Sequence, residues 1–434
     1  MDNEKKTKKT SLIGWGGYGC VFQPSTNCDG SVSRNKKNKN KISKIQFYGI
    51  GGAKNEIFIG KIIHSIPNFK TYFSPIISSC SVLPLHKLDP FVLNNCPSIA
   101  EKKKHYRDII TTQTRYIKHK PIKLVLKEQD SLLSAYNILM KYIHHLLTAI
   151  EILQEKDIIH FDIKDGNILY TYKEKHIRPV IIDFGISFLS SYVYESSDKY
   201  IQTRDRMVKH FNTITKEESN IPQTENGMKH DMKHGPENGM KHGFQHDFQH
   251  DYTLLKKNSI HNRFVDIRHL KKRVYFFSPG YIQYPPEVHV IGYLLKYKNE
   301  DDLFYMSDID ILSNKIYNEI VDELFQTVPY ISEKDYISEF ILYYKTFVNE
   351  KKTCYEVCNE LYRHVYLWDV YSIYIILFKL GLYLSIHYSE DITKASSNYY
   401  PLFKFCLRGL SPNPTKRGSL QEFKNTIQSS SDAI

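Results

Sequence analysis

Residues 159–185 read IHFDIKDGNILYTYKEKHIRPVIIDFG, and this stretch decides the fold. It holds two polar clusters, one from His160 to Asn167 and one at Asp183-Phe184-Gly185, separated by a short charged turn at residues 173–176. Ile158 and Ile159 lead into the first cluster, and Val180, Ile181 and Ile182 lead into the second. Each cluster thus follows a strand-like apolar run that, once buried, holds the polar groups still. The carboxylates of Asp162, Asp165 and Asp183 and the ammonium of Lys164 suit phosphoryl transfer. That chemistry needs an acceptor for a hydroxyl proton, oxygen ligands for Mg2+ and a cation beside the moving phosphoryl group.

Working outward, 434 residues suffice for two lobes or domains. The net charge of +12 includes clusters at Lys5, Lys6, Lys8, Lys9 and at Lys36, Lys37, Lys39, Lys41, read as a solvated tail and loop. No aromatic-interleaved basic stripe or nucleic-acid motif accompanies them. The N-terminus has no apolar core of signal-peptide length, and the longest apolar run, residues 371–384, is broken by Lys379 and reads as too short for a bilayer. Seven cysteines are scattered without a C-x-x-C pair. Cys354 and Cys358, four apart, read as two buried thiols sharing a helix face. A reducing, intracellular and cytoplasmic setting is therefore expected.

Residues 13–22, IGWGGYGCVF, place Gly14, Gly16 and Gly19 as G-x-G-x-x-G with Val21 two further on. Gln23-Pro24-Ser25 breaks any helix that would follow, so a strand–turn–strand hairpin is expected. Residues 41–47, KISKIQF, read as a strand, and residues 53–66 carry helical spacing at Ile59, Ile62 and Ile63. Residues 73–83 and 122–126 are expected as further strands, with a polar excursion at residues 84–120 between them. Leu139, Tyr142, Leu146, Ile150 and Leu153 mark one apolar face of a helix ending near Glu155. Residues 226–251 are a low-complexity run of K/Q-H-D/G units, whose five histidines suggest a disordered insertion more than a metal site.

H-x-D-x-K-x-x-N followed sixteen residues later by D-F-G resembles the catalytic loop and metal-binding turn of eukaryotic-type protein kinases of the Ser/Thr class. The Lys/Asn/Tyr/Ile bias and the histidine-rich run are similar to those of kinases from large DNA viruses, which would place the chain in host cytoplasm or a virion. The resemblance implies an α+β, bilobal protein-kinase-like fold. A basic tail (1–11) would precede a small β-rich N-lobe (12–128) and a larger helical C-lobe (129–425), with a tail at 426–434. The C-lobe would carry the histidine-rich insertion at about 220–255 and a helical insertion at about 288–364.

By the same resemblance, ATP and Mg2+ are the cofactors, and Ser/Thr-bearing proteins are the substrates. Asp162 would accept the hydroxyl proton, Lys164 would neutralise the γ-phosphate, and Asn167 and Asp183 would ligate Mg2+. Gly14, Gly16, Gly19 and Val21 would cover the nucleotide, and Lys44 would grip its phosphates, with Lys41 as the alternative lysine. Glu56 would pair with Lys44 unless it is a solvent-facing helix residue. Residues 127–130 would form the adenine-binding hinge. Asp369 would brace the catalytic loop, and Arg417 would pair with Glu287 of the P-P-E segment, where Pro285 replaces the family's alanine. Ser278 would stand for the family's threonine there. A pseudokinase scaffold and a small-molecule kinase are the rival readings.

The sequence departs from the family at Phe161, where many kinases carry an arginine that reads an activation-loop phosphate through charge-assisted hydrogen bonds. Phenylalanine cannot do so. Turnover is therefore expected to be independent of phosphorylation in residues 186–280. Phosphatase treatment should leave the rate unchanged, and a lost rate in protein that stays folded would contradict the reading.

Overall fold

In the computed structural model the residues described are 10–17, 19–33, 39–49, 52–118, 120–173, 176–194, 264–274, 277–278, 280–316, 333–388 and 404–432. The histidine-rich run lies outside them. The chain is a mixed α+β structure, with an antiparallel sheet in its N-terminal part and a helical C-terminal part. It divides into two compact units, Met1–Phe58 with Ile76–Thr114 and Tyr194–Phe264, and Ile59–Pro75 with Arg115–Val193 and Val265–Ile434.

The first unit is built on strands β1 (Ser11–Gly16), β2 (Gly19–Gln23), β3 (Lys41–Phe47), β4 (Ser78–Ser79), β5 (Leu83–Pro84) and β6 (Asp108–Arg115). Their order is β1-β2-β3-β6-β4, with β5 also on β6. β1 and β2 form the expected hairpin, closing between Gly16 and Gly19. Helix α1 (Ala53–His64) follows β3. Cys20, Phe22, Ile45 and Phe47 of the sheet pack on Leu88, Val92, Cys96 and Ile99, the last three supplied by α2 (Pro90–Asn95), α3 (Pro97–Lys102) and their junction.

Two expectations fail in this unit. Residues 84–120 are not a polar excursion, since they contain α2, α3 and β6. The strand is rich in β-branched residues, but Thr111 and Thr112 are buried and bond their hydroxyls to Cys28 O (3.1 Å) and Lys44 O (3.3 Å). A polar pair facing inward defeats a reading based on apolar alternation. Four of the cysteines also form disulfides, Cys20–Cys96 and Cys28–Cys80. Their partners are 76 and 52 residues apart, so no local spacing announces them. These bonds remove the cysteine argument for a reducing compartment. Cys354, Cys358 and Cys406 are buried and free, and burial pushes the Cys354 thiol up to about 11.

The second unit holds α4 (Ile122–Lys127), α5 (Leu132–Glu155), β7 (Ile158–Ile159), β8 (Ile168–Lys173), β9 (His176–Ile181) and β10 (Phe188–Leu189). Then follow α6 (Ile267–Arg273), α7 (Pro286–Tyr297), α8 (Met306–Ile316), α9 (Glu333–Asn349), α10 (Cys354–Tyr362), α11 (Trp368–His387) and α12 (Leu420–Asp432). Residues 122–126 are thus helix, not strand. Five residues cannot separate the two periods, and Ile122, Val125 and Leu126 are the buried set, at helical spacing. α11 is apolar nearly all round and packs against α5, as α12 does. By length and composition Val365–Leu384, a longer stretch than the run 371–384, could cross a membrane, but 72% of its most apolar 18-residue window is buried inside the structure. Among the described residues it is the one helix that passes that test.

Iodoacetamide treatment of denatured, unreduced protein should modify three cysteines and spare four. Reduction of both bonds should cost about 3 kcal/mol or more of stability, seen as a lower thermal midpoint. Modification of all seven without reductant would contradict the pairing.

Candidate functional site

Two groups of the expected residues are assembled, one in each unit. In the first, the β2–β3 register sets Val21 opposite Lys44 and Gly19 opposite Gln46. Directly opposed residues share a sheet face, so Val21 and Lys44 lie together. A Cβ on Gly19 would strike Ile45 O at 2.2 Å, so close strand approach demands glycine there. At Gly14 and Gly16 it would meet no described atom within 4 Å, so packing makes no such demand. Lys44 Nζ lies 3.1 Å from Glu56 Oε2, with Glu56 buried in the first turn of α1. Lys44 is thus the lysine paired with Glu56. The turn between β1 and β2 is held from α3, where Ser98 Oγ donates to Gly16 O (2.5 Å) and Lys102 Nζ to Gly17 O (2.6 Å).

In the second unit α5 delivers the chain through β7 to residues 160–167. Asp157 takes a left-handed φ of 60° between them, and its carboxylate accepts from Ser190 Oγ and from Tyr366 OH (2.7 Å). Asp369, buried in the first turn of α11, accepts the His160 N–H on Oδ2 (2.7 Å) and the Phe161 N–H on Oδ1 (2.8 Å). Burial pushes the Asp369 carboxyl above its usual range, against the opposing pull of His160 and the two backbone donors. His160 Nδ1 accepts the Asp162 N–H (3.2 Å), which assigns the ring proton to Nε2, 3.1 Å from Ile182 O.

The groups expected to act lie around Asp162. Asn167 Nδ2 donates to Asp162 Oδ2 (2.7 Å) and to Asp162 O (3.0 Å), and Lys164 Nζ lies 2.9 Å from the same Oδ2. The Asn167 amide therefore turns its carbonyl oxygen away from Asp162. The Ile182 N–H donates to Asn167 O (3.0 Å), which sets Asp183 next to Asn167 at the end of the β8–β9 hairpin. Asp183 has a left-handed φ of 62°, and Phe184 beside it is fully buried against His160 (4.9 Å between ring centroids) and Phe73 (6.2 Å). Among the described residues no three or more His, Cys, Asp or Glu side chains cluster as a metal site.

Phe161 is fixed by its neighbours. The ring is buried and stacks on Tyr284 at 4.5 Å, with Phe188 and Trp368 each at 5.5 Å. Arg417 grips Glu287 through two hydrogen bonds of 2.6 and 2.8 Å, both side chains buried.

Two expectations about this region meet a different geometry. Residues 127–130, expected as the adenine-binding hinge, close helix α4, and part of their backbone is already bonded. Glu128 N–H and Gln129 N–H bond to Leu124 O and Leu126 O, and Tyr388 OH donates to Leu126 O and Gln129 O. Ser278, expected to stand for the family's threonine, is exposed, and among the described residues no hydrogen bond joins it to Asp162. Tyr281 OH donates to Asp162 Oδ1 instead, a contact not foreseen because one tyrosine among 33 carries little signal. The Ser98 and Lys102 contacts were likewise missed, since they lie in the stretch read as an excursion. Compared with known proteins, the chain matches no family model and no curated relative.

Arg417→Met would leave the Glu287 carboxylate buried without its partner, a loss of about 3–5 kcal/mol. Urea denaturation should show it, with much of the loss recovered when Glu287→Gln is added. An unchanged midpoint in the single variant would contradict the ion pair.

Proposed function

We propose that this chain is an ATP-dependent protein kinase that transfers the γ-phosphoryl group to Ser or Thr hydroxyls of proteins. The observation that carries the proposal is the carboxylate of Asp162, held on one oxygen by Asn167 and Lys164, with Asp183 fixed beside Asn167 through Ile182. A motif match in sequence brings residue types. The carboxylates of Asp162 and Asp183, the ammonium of Lys164 and the amide of Asn167, lying near the end of one hairpin, support this reading.

In this reading Asp162 accepts the proton of the attacking hydroxyl, and Lys164, beside it, stabilises charge on the phosphoryl group. Lys44, held extended by Glu56, grips the nucleotide's phosphates, and Gly14, Gly16, Gly19 and Val21 cover it. The donor set suits Mg2+, because Asn167 spends its amide N–H on Asp162 and keeps a hard carbonyl oxygen, while Asp183 adds a carboxylate. Bound there, Mg2+ would neutralise phosphate charge. The sheet order β1-β2-β3-β6-β4 and the lysine–glutamate pair support a bilobal kinase-like fold. With β6 in the sheet, adenine's backbone partners are expected after it, at residues 116–118. The lysine two after Asp162 favours Ser and Thr acceptors, and the composition aligns the chain with kinases of large DNA viruses.

Labelled γ-phosphate from ATP should pass to myelin basic protein or casein, appear on Ser and Thr, and be lost by at least about a thousandfold in Asp183→Ala. ATP binding without transfer would favour a scaffold. Transfer to small molecules alone would favour the other rival.

A further inference from the structure

Asp162 has a third partner that the reading above does not use. Tyr281 OH donates to Oδ1, the carboxylate oxygen that neither Asn167 nor Lys164 touches. An ionised carboxylate offers about four acceptor positions, and these three donors take two on Oδ2 and one on Oδ1. The remaining position is on Oδ1, the oxygen whose direction Tyr281 sets.

Tyr281 is itself well located. Tyr284 N–H closes a turn onto Tyr281 O (3.0 Å), and Ser372 Oγ, from α11, donates to Gln283 O (2.8 Å) within that turn. The Tyr281 ring meets the Tyr284 ring edge-on at 4.6 Å, and Tyr284 stacks on Phe161. Lys164 Nζ lies 5.6 Å from the Tyr281 ring centroid, close enough for a cation–π attraction. Burial first, and then the Asp162 charge, push the Tyr281 phenol well above its ordinary range, so the hydroxyl keeps its proton and remains a donor.

We infer that Tyr281 is the positioning residue for Asp162, and that the stack Phe161–Tyr284–Tyr281 ties the P-P-E segment to the proposed base by aromatic packing and one hydroxyl. The inference rests on the phosphotransfer reading and deepens it by naming what aims the base. It also gives Phe161 a purpose: where an arginine would bind a phosphate added from outside, this chain fixes the same segment with rings it already carries.

The test is a double-mutant cycle on the full chain, with ATP and myelin basic protein. Tyr281→Phe keeps the ring and removes only the hydroxyl. It should lower kcat by about tenfold, the size of one hydrogen bond to a charged group. The thermal midpoint and the KM for ATP should stay near the wild-type values. In an Asp162→Asn background the same change should cost less than about twofold, because the hydroxyl acts through the missing carboxylate. A merely structural tyrosine would cost the same in both backgrounds, and that result would overturn the role, as would wild-type kcat in Tyr281→Phe. Absence of transfer by the wild-type protein would overturn the phosphotransfer reading and this role with it.

Discussion

The second unit depends on one buried carboxylate. Asp369 receives two consecutive backbone N–H groups, from His160 and Phe161, while Phe161 sits at a left-handed φ of 64°. A bulky residue avoids that conformation, at a cost on the order of 1 kcal/mol or more. Two charge-assisted bonds and a close aromatic packing hold it there. The turn they impose leaves Asp162 and Lys164 partly exposed while His160, Asn167 and Phe184 are buried. Because α11 is apolar nearly all round and packed against α5, Asp369 is held in place, and so is the loop it bonds.

A second consequence concerns charge. The loop gathers Lys164 and Asn167 within hydrogen-bond reach of Asp162, and no aromatic group could take their places. The positions around them are different, for Phe161, Tyr281, Tyr284, Phe188 and Trp368 form a continuous set of rings. In a chain so rich in tyrosine, stacking holds this segment, and such packing is little affected by salt. The buried Arg417–Glu287 pair is the exception, and both of its members are fully desolvated and doubly bonded.

Much of the second unit was legible because its signals are local. The apolar face from Leu139 to Leu153, the nearly all-apolar run of α11 and the polar clusters after β7 and β9 each fit inside a window that local pattern can read. The pairing of Lys44 with Glu56 was implied by the resemblance and lies within a strand and the next helix. What the sequence hid is non-local or chemically mixed. The buried faces of Thr111 and Thr112 look polar, the two disulfides join residues more than fifty apart, and residues 122–126 are too few to reveal their period. Tyr281 reaches Asp162 across 119 positions, and only the folded chain shows which tyrosine does so.

The central claim is that Asn167 and Asp183 hold a divalent cation against a bound nucleoside triphosphate. The most direct measurement is calorimetric titration of ATP with and without Mg2+ in the wild-type protein and in Asp183→Ala. The account predicts that Mg2+ tightens binding to the wild type and makes no difference to the variant. Equal tightening in both proteins, or none in the wild type, would contradict it.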